Sequence, residues 1–168
     1  MDIHTIHNLF IALHAASGVI SLFAGGLLIS SPRQLANRRL FRLYAWFLIG
    51  LVVFLAGAML VYWTEYSTTE RILFPGLFGL GLFMLYRARS AHQLLGIRRW
   101  NWRQVYIEHI GFTLISLLEG FIIVTSLNSG SPAWMVGLLA ILGVVLGRWA
   151  IGFAQQRVET AQMIVAKR

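Results

Sequence analysis

The chain has 168 residues, of which 58% are hydrophobic and only 12% charged, and its mean hydropathy is +0.71. Soluble domains carry about 25% charged residues, so this composition excludes an ordinary water-soluble globule and indicates an integral membrane protein. The net charge of +8 does not indicate nucleic-acid binding, since the basic residues lie mainly between apolar runs, and the lack of cysteine in the chain excludes thiolate metal sites and covalent c-type haem.

Five apolar segments are long enough to cross a hydrocarbon core of about 30 Å, which needs about 20 helical residues. The sequence therefore predicts an all-α, polytopic integral membrane protein, a bundle of five transmembrane helices that forms a single domain. The third segment is short and begins at Pro75, a residue that the first turn of a helix tolerates. The predicted spans cover about 9–30, 41–63, 72–88, 105–127 and 133–154.

The basic residues indicate the orientation of these spans. Of the 14 Lys and Arg residues, twelve fall in the loops after spans one and three or in the C-terminal tail, whereas Arg71 falls on the opposite side and Arg148 within span five. Cytoplasmic loops are rich in Lys and Arg, so we predict an N-out, C-in protein. We expect the basic inner loops to attract anionic lipid.

Aromatic residues support the same topology. Every Trp and Tyr falls near a predicted helix end, where amphipathic rings prefer the headgroup level of the bilayer. The predicted inner group is Tyr44, Trp46, Tyr86, Trp100, Trp102, Tyr106 and Trp149, and the outer group is Tyr62, Trp63, Tyr66 and Trp134.

The run from His14 to Gly18, followed by a glycine-rich apolar helix and a basic loop, is similar to small bacterial inner-membrane proteins. The similarity covers one helix and one loop and implies no activity. We predict that the protein is located in the plasma (bacterial inner) membrane.

Small residues recur every four positions on three of the predicted helices, a spacing that lets helix backbones approach closely in a bilayer. They favour packing within the monomer, but a homo-oligomer or docking onto a larger membrane complex stays open. The sets are Ser17, Ser21 and Gly25 on span one, Ser116 and Gly120 on span four, and Gly143 and Gly147 on span five.

Ionisable residues inside a span cost at least about 2.5 kcal/mol each and often mark function. At 1.5 Å per residue, His14 lies roughly 9 Å from the outer end of its span and Glu119 roughly 12 Å from that of its own. We expect these two side chains to form an outer layer, with His7 one heptad above His14 on the same helix face. Such a site could bind or relay a proton, a cation or a small ligand.

A second layer is predicted in the inner half of the membrane. Arg148 lies roughly 9 Å from the inner end of its span, His109 about 6 Å and Glu108 about 5 Å. We interpret these three residues as a charge-neutralising cluster. Arg148 and Glu119 differ by about 12 Å in depth, which argues against pairing them.

The leading functional hypothesis is a non-enzymatic protein that uses the His14 and Glu119 site. The first alternative is a structural or accessory subunit of a larger membrane complex. The second is a b-haem electron carrier, although His14 and His109 differ by about 18 Å in depth, which is too far for one bis-histidine haem. A metal site built from His4, His7 and His14 with Glu65 or Glu119 also stays open. The sequence shows no hydrolase, kinase or dinucleotide motif.

Overall fold

The computed structural model describes residues 2–31, 33–97 and 101–166. Each of its five long helices contains a segment long and apolar enough to cross a membrane. The prediction of an all-helical bundle with five candidate spans is therefore confirmed, while orientation and the identity of the membrane stay predictions. The basic residues Arg98, Arg99, Lys167 and Arg168, and the predicted inner Trp100, lie outside the described residues. The helices are α1 (Ile3–Ser30), α2 (Arg38–Tyr62), α3 (Thr68–Ile97), α4 (Trp102–Asn128) and α5 (Ala133–Ala166), and a short 3₁₀ turn at Gln34–Ala36 precedes α2.

Helix α3 is longer than the sequence predicted at both ends. It begins at Thr68, after a capping box in which the Ser67 backbone N–H and hydroxyl both donate to Oε2 of Glu70, at 2.8 and 2.7 Å. Pro75 therefore lies in the helix interior and not in its first turn. At the other end the helix continues to Ile97, beyond the predicted end at residue 88, so the predicted inner loop is much shorter. The third span is thus a full-length helix.

Helices α1 and α2 form an antiparallel hairpin whose interior is closely packed. Ser17 and Ser21 are 5% and 0% exposed, and a Cβ built at Gly50 would lie 3.2 Å from the Ser17 hydroxyl oxygen. A Cβ built at Gly25 would lie 2.6 Å from a methyl group of Leu114 on α4. The predicted small-residue face of span one therefore packs within the monomer, where it joins α1, α2 and α4.

Helices α4 and α5 form a second antiparallel hairpin. Gly143 meets Glu119, Gly147 meets Ile115, and Ile151 meets Gly111, so each step of four residues along α5 matches a step of four back along α4. Helix α5 packs mainly against α4, whereas α3 contacts both α2 and α4. The candidate span of α5 is consequently the least buried of the five.

Two of the aromatic residues predicted at the inner membrane surface are buried between helices. Tyr44 and Tyr106 are both 0% exposed. Burying a phenol is favourable where its hydroxyl finds a hydrogen-bond partner, and the Tyr44 hydroxyl lies 2.5 Å from Oγ1 of Thr113. The hydroxyl of Tyr106, by contrast, is buried and has no hydrogen-bond partner. Trp46 and Tyr86 remain exposed, at 70% and 63%.

Candidate functional site

Three polar side chains on α1 bond to backbone carbonyls of α2 at heptad intervals. His7 Nδ1 lies 3.3 Å from the Ala58 oxygen, and His14 Nδ1 lies 2.7 Å from the Leu51 oxygen. The Ser21 hydroxyl donates to the Tyr44 oxygen at 3.3 Å. Seven residues forward on α1 correspond to seven residues back on α2, so all three side chains share one face of the hairpin. We call this set (His7, His14 and Ser21) the polar ladder.

The polar ladder fixes the chemistry of its two histidines. A carbonyl oxygen only accepts, so each ring donates from Nδ1–H, and Nε2 is the remaining acceptor of a neutral imidazole. The partner of His14, Leu51, lies near the middle of α2, so His14 is deeper in the bundle than the sequence predicted. Its principal polar partner is the backbone of α2.

Aromatic rings surround the top of the polar ladder, at the end of the bundle where α1 begins. His7 stacks on Tyr62 at 4.3 Å between ring centroids, and His4 shares a 3.0 Å hydrogen bond with the Tyr62 hydroxyl. Tyr66 meets His7 edge-on at 5.8 Å, and its buried hydroxyl has no hydrogen-bond partner. Burial, followed by the nearby Glu70 carboxylate, raises the pKa of Tyr66. The phenol therefore stays neutral at physiological pH.

Glu119 does not meet His14, and no hydrogen bond joins the two side chains in the described part of the chain. Glu119 shares an i, i+4, i+8 stripe with Gly111 and Ile115, and this stripe faces α5. A Cβ built at Gly143 would lie 3.1 Å from Oε1 of Glu119. That oxygen is buried and has no hydrogen-bond partner. The two residues expected to form one outer site are thus divided between the two hairpins.

The residues predicted to form an inner charge cluster are also separated. Glu108 pairs with Arg87 of α3 at 3.7 Å, and the Arg87 guanidinium lies 5.1 Å from the centre of the Phe112 ring. His109 Nδ1 is buried without a hydrogen-bond partner. Within the described residues no ion pair joins Arg148 to Glu108. The sequence had placed Arg87 in a loop, so its ion pair was missed.

Arg148 is exposed on the surface of α5. It lies between the Gly147–Ile115 and Ile151–Gly111 contacts, and Ile115 is the middle residue of α4. Arg148 therefore lies near mid-span and does not share a layer with Glu108. Five residues, or about 7.5 Å of helix rise, separate Arg148 from the level of Glu119, which is closer than the sequence estimate of about 12 Å.

The histidines do not converge as metal ligands. Among the described residues, no group of three or more His, Asp or Glu side chains is placed to hold a metal ion. The His14 ring is directed to the α2 backbone. The His92 ring on α3 stacks on the Phe41 ring of α2, with 5.1 Å between the ring centroids. The arrangement consequently adds no support for the metal and haem hypotheses.

The bundle also contains a buried hydroxyl pair that sequence reasoning missed. Thr113 donates to the Ile110 oxygen at 2.7 Å, so its Oγ1 accepts from the Tyr44 hydroxyl. The Tyr44 carbonyl in turn accepts from Ser21. This chain of bonds joins α1, α2 and α4. The heptad spacing of His7, His14 and Ser21 was a usable signal in the sequence, but nothing there paired Tyr44 with Thr113, 69 positions later.

No known family model, curated protein or solved structure matches this chain.

Proposed function

We propose that this protein is a membrane-embedded assembly subunit that binds, through α5, a partner helix carrying a carboxylate near mid-span. Helices α1 to α4 form the packed body, and α5 presents the docking surface. The observation that carries the proposal is Arg148, an exposed arginine near the middle of a candidate span that packs mainly against one neighbouring helix.

An arginine at this position is costly unless a partner compensates for its charge. Insertion scales assign about 2.5–3.5 kcal/mol to arginine at a helix centre, and snorkelling of the side chain to a membrane surface is the usual relief. The nearer end of the candidate span is Gln156, about 12 Å along the axis. Side chains lean toward the helix N-terminus, so Arg148 leans away from that end. A carboxylate on an adjacent helix offers charge compensation inside the bilayer.

The neighbours of Arg148 also suit an interface. Trp149 follows Arg148 in the sequence and is 71% exposed. Arginine and tryptophan are the residues most enriched where interfaces gain most of their binding energy. Large apolar side chains on the same side of α5 extend this surface, namely Ile141, Val144 and Val145.

The proposal is tested by the mass of the assembly in its own membrane. The tagged chain is extracted at its native expression level in polymer-bounded lipid discs, and particle mass is measured for the wild type and for Arg148→Gln. We expect the wild type in particles that hold at least one further protein chain. Arg148→Gln should shift the protein to monomeric particles, because the partner carboxylate then loses its counter-charge.

The matched control is Arg89→Gln, which removes an exposed arginine from α3 and leaves α5 unchanged. It should behave as the wild type. A wild type that is monomeric in native discs, or an Arg148→Gln variant that keeps the full particle mass, would contradict the proposal.

A second candidate function, proton or cation binding at Glu119, is favoured by one observation. Oε1 of Glu119 is buried within a candidate span and has no hydrogen-bond partner. The same unsatisfied oxygen could bind a proton or cation. Flux of protons and of monovalent cations into proteoliposomes tests this function, with Glu119→Gln against the wild type. Absent wild-type flux, or equal flux in the two proteins, removes this candidate.

A further inference from the structure

We infer that an anionic phospholipid binds along one exposed face of α2, with its phosphate at Arg39 and Arg42. Its acyl chain lies along Trp46, Ile49 and Val53, farther along the same helix. We call these five residues the lipid-facing stripe, and all five are exposed. The inference goes beyond the proposed function, because it concerns the lipid contacts of α2 and not the docking of α5.

The lipid-facing stripe lies on the side of α2 that is turned away from the bundle. Arg39, Trp46 and Val53 recur at heptad intervals, so at 100° per residue they lie within about 40° of one another. Arg42 and Ile49 each follow a member of this set by three residues and share its side of the helix. None of the five belongs to the buried side of α2, which consists of Phe41, Tyr44, Leu48, Leu51, Val52, Leu55 and Ala58.

The charge at the start of α2 is unfavourable unless an anion compensates for it. A helix N-terminus carries a partial positive charge, so cations there are disfavoured. The first turn of α2 nevertheless contains no acidic residue and begins with Arg38 and Arg39. Arg39 and Arg42 are three positions apart, so their like charges repel each other. The ion pair found among the described residues joins α3 to α4, so neither arginine of the stripe has an acidic partner there.

The groups that would hold the phosphate are the two guanidinium groups and not the helix terminus. The Asn37 side chain already accepts hydrogen bonds from the backbone N–H groups of Arg39 and Leu40, both at 3.2 Å. A guanidinium matches a phosphate group, because it can donate two parallel N–H···O bonds. Both arginine side chains are exposed, so a lipid headgroup can reach them.

The order of side chains along the stripe matches the order of groups in a phospholipid. Helix α2 has 25 residues, or about 37 Å, and exceeds a hydrocarbon core of about 30 Å, so its end turns reach the headgroups. Trp46 lies about 6 Å beyond Arg42 along the axis, at the boundary that an amphipathic ring prefers. Ile49 and Val53 follow after about 4.5 and 10.5 Å more, within the hydrocarbon of one leaflet.

The other end of α2 is equally exposed but lacks the charge. Leu60 is 83% exposed, and Trp63, directly after the helix, is 43% exposed. The last turn of α2 contains no basic residue. A preference for anionic lipid should therefore be confined to the leaflet at the N-terminal end of α2, and Trp63 is an internal control for Trp46.

The test measures fluorescence quenching in liposomes that contain phosphatidylglycerol or phosphatidylcholine brominated on the acyl chains. The chain contains six tryptophans, so one full-length variant keeps only Trp46, another keeps only Trp63, and the others become phenylalanine. At equal mole fractions, phosphatidylglycerol should quench Trp46 more strongly than phosphatidylcholine does, and the two lipids should quench Trp63 equally. Arg39→Gln and Arg42→Gln should each lower the preference at Trp46 about fivefold.

A second measurement keeps all tryptophans and covers variants that fail to fold. Native mass spectrometry counts the phosphatidylglycerol molecules bound to the wild type and to the double variant Arg39→Gln with Arg42→Gln. The matched control is Arg33→Gln with Arg89→Gln, which removes the same charge from exposed arginines outside the stripe. We expect the stripe variant to lose one bound lipid and the control to lose none.

Equal preference for phosphatidylglycerol at Trp46 and Trp63 would overturn the inference. Equal lipid loss in the stripe and control variants would also overturn it, because net charge alone would then explain the binding. Both measurements leave Arg148 and α5 unchanged, so either outcome is independent of the proposed function.

Discussion

The two hairpins of the molecule pack in the same way and differ in whether their polar side chains have partners. Both the α1–α2 and α4–α5 hairpins are antiparallel, and both have small residues where the helices approach most closely. In the first hairpin, His7, His14 and Ser21 all bond to carbonyls of the partner helix. In the second, the Glu119 carboxylate has an oxygen without a partner, and Arg148 is exposed.

The difference shows how to interpret a polar residue within a span. Ionisable groups at similar depth looked equivalent in the sequence, yet one set is satisfied by the fold and the other is not. A satisfied group stabilises the monomer, so replacing it should change the free energy of unfolding. An unsatisfied group is the better candidate for binding something else, so replacing it should change association or ligand binding. The next three predictions break the first hairpin and test this distinction.

The largest effect is expected from Gly25→Val. A Cβ built at Gly25 would lie 2.6 Å from a methyl carbon of Leu114 and 3.2 Å from the Tyr44 ring. Overpacking of this kind costs about 1–3 kcal/mol, measurable as a lower free energy of unfolding in mixed micelles. The control is Gly26→Val, because a Cβ built at Gly26 would meet nothing within 4 Å. Equal losses in the two variants would show that this seam is not tightly packed.

A smaller loss is expected from Tyr44→Phe. The change removes the hydroxyl that donates to Thr113, while Thr113 keeps its own bond to Ile110. One lost hydrogen bond without a stranded donor should cost about 1 kcal/mol in the same unfolding measurement. Tyr86→Phe, at a ring that is 63% exposed, is the control and should cost nothing measurable. An unchanged stability for Tyr44→Phe would argue against the buried hydroxyl pair.

The smallest of the three effects is expected from His14→Leu. This variant removes the 2.7 Å bond to Leu51 but keeps an apolar side chain of sufficient size in the seam. Polar contacts between membrane helices average about 0.6 kcal/mol, so a loss near that value is expected. The oligomeric state should not change, in contrast with Arg148→Gln. If His14→Leu abolished proton or ligand binding at full stability, the polar ladder would be functional and the contrast between the hairpins would be wrong.

Much of the architecture followed from the sequence because membrane insertion imposes strong compositional rules. Spans need long apolar runs, so five helices could be counted directly. Helix ends were less accurate: the polar residues of α3 before position 72 and after position 88 looked like loop, whereas the capping box at Ser67 extends the helix. The predicted aromatic groups did not distinguish exposed rings such as Trp46 from the buried ring of Tyr44, whose hydroxyl finds a partner inside the bundle.

The sequence predicted which polar residues lie within the candidate spans, but not which of them contact each other. Depth along a span follows from counting residues, but two residues at similar depth meet only if their helix faces point toward each other. Glu119 lies on the stripe of α4 that faces α5, and His14 lies on the face of α1 that contacts α2. Depth alone could therefore not exclude their pairing. Depth also gave about 9 Å between Arg148 and the inner end of its span, whereas the candidate span of α5 ends at Gln156, about 12 Å away.

The sequence by itself determined the number of candidate spans, their helical character and the list of polar residues within them, since these depend on local composition and length. Only the tertiary structure decided which polar residues are satisfied, because hydrogen bonds between helices depend on their rotation and relative register. The heptad match between α1 and α2 satisfies the polar ladder, and the four-residue match between α4 and α5 leaves Arg148 outside its own seam.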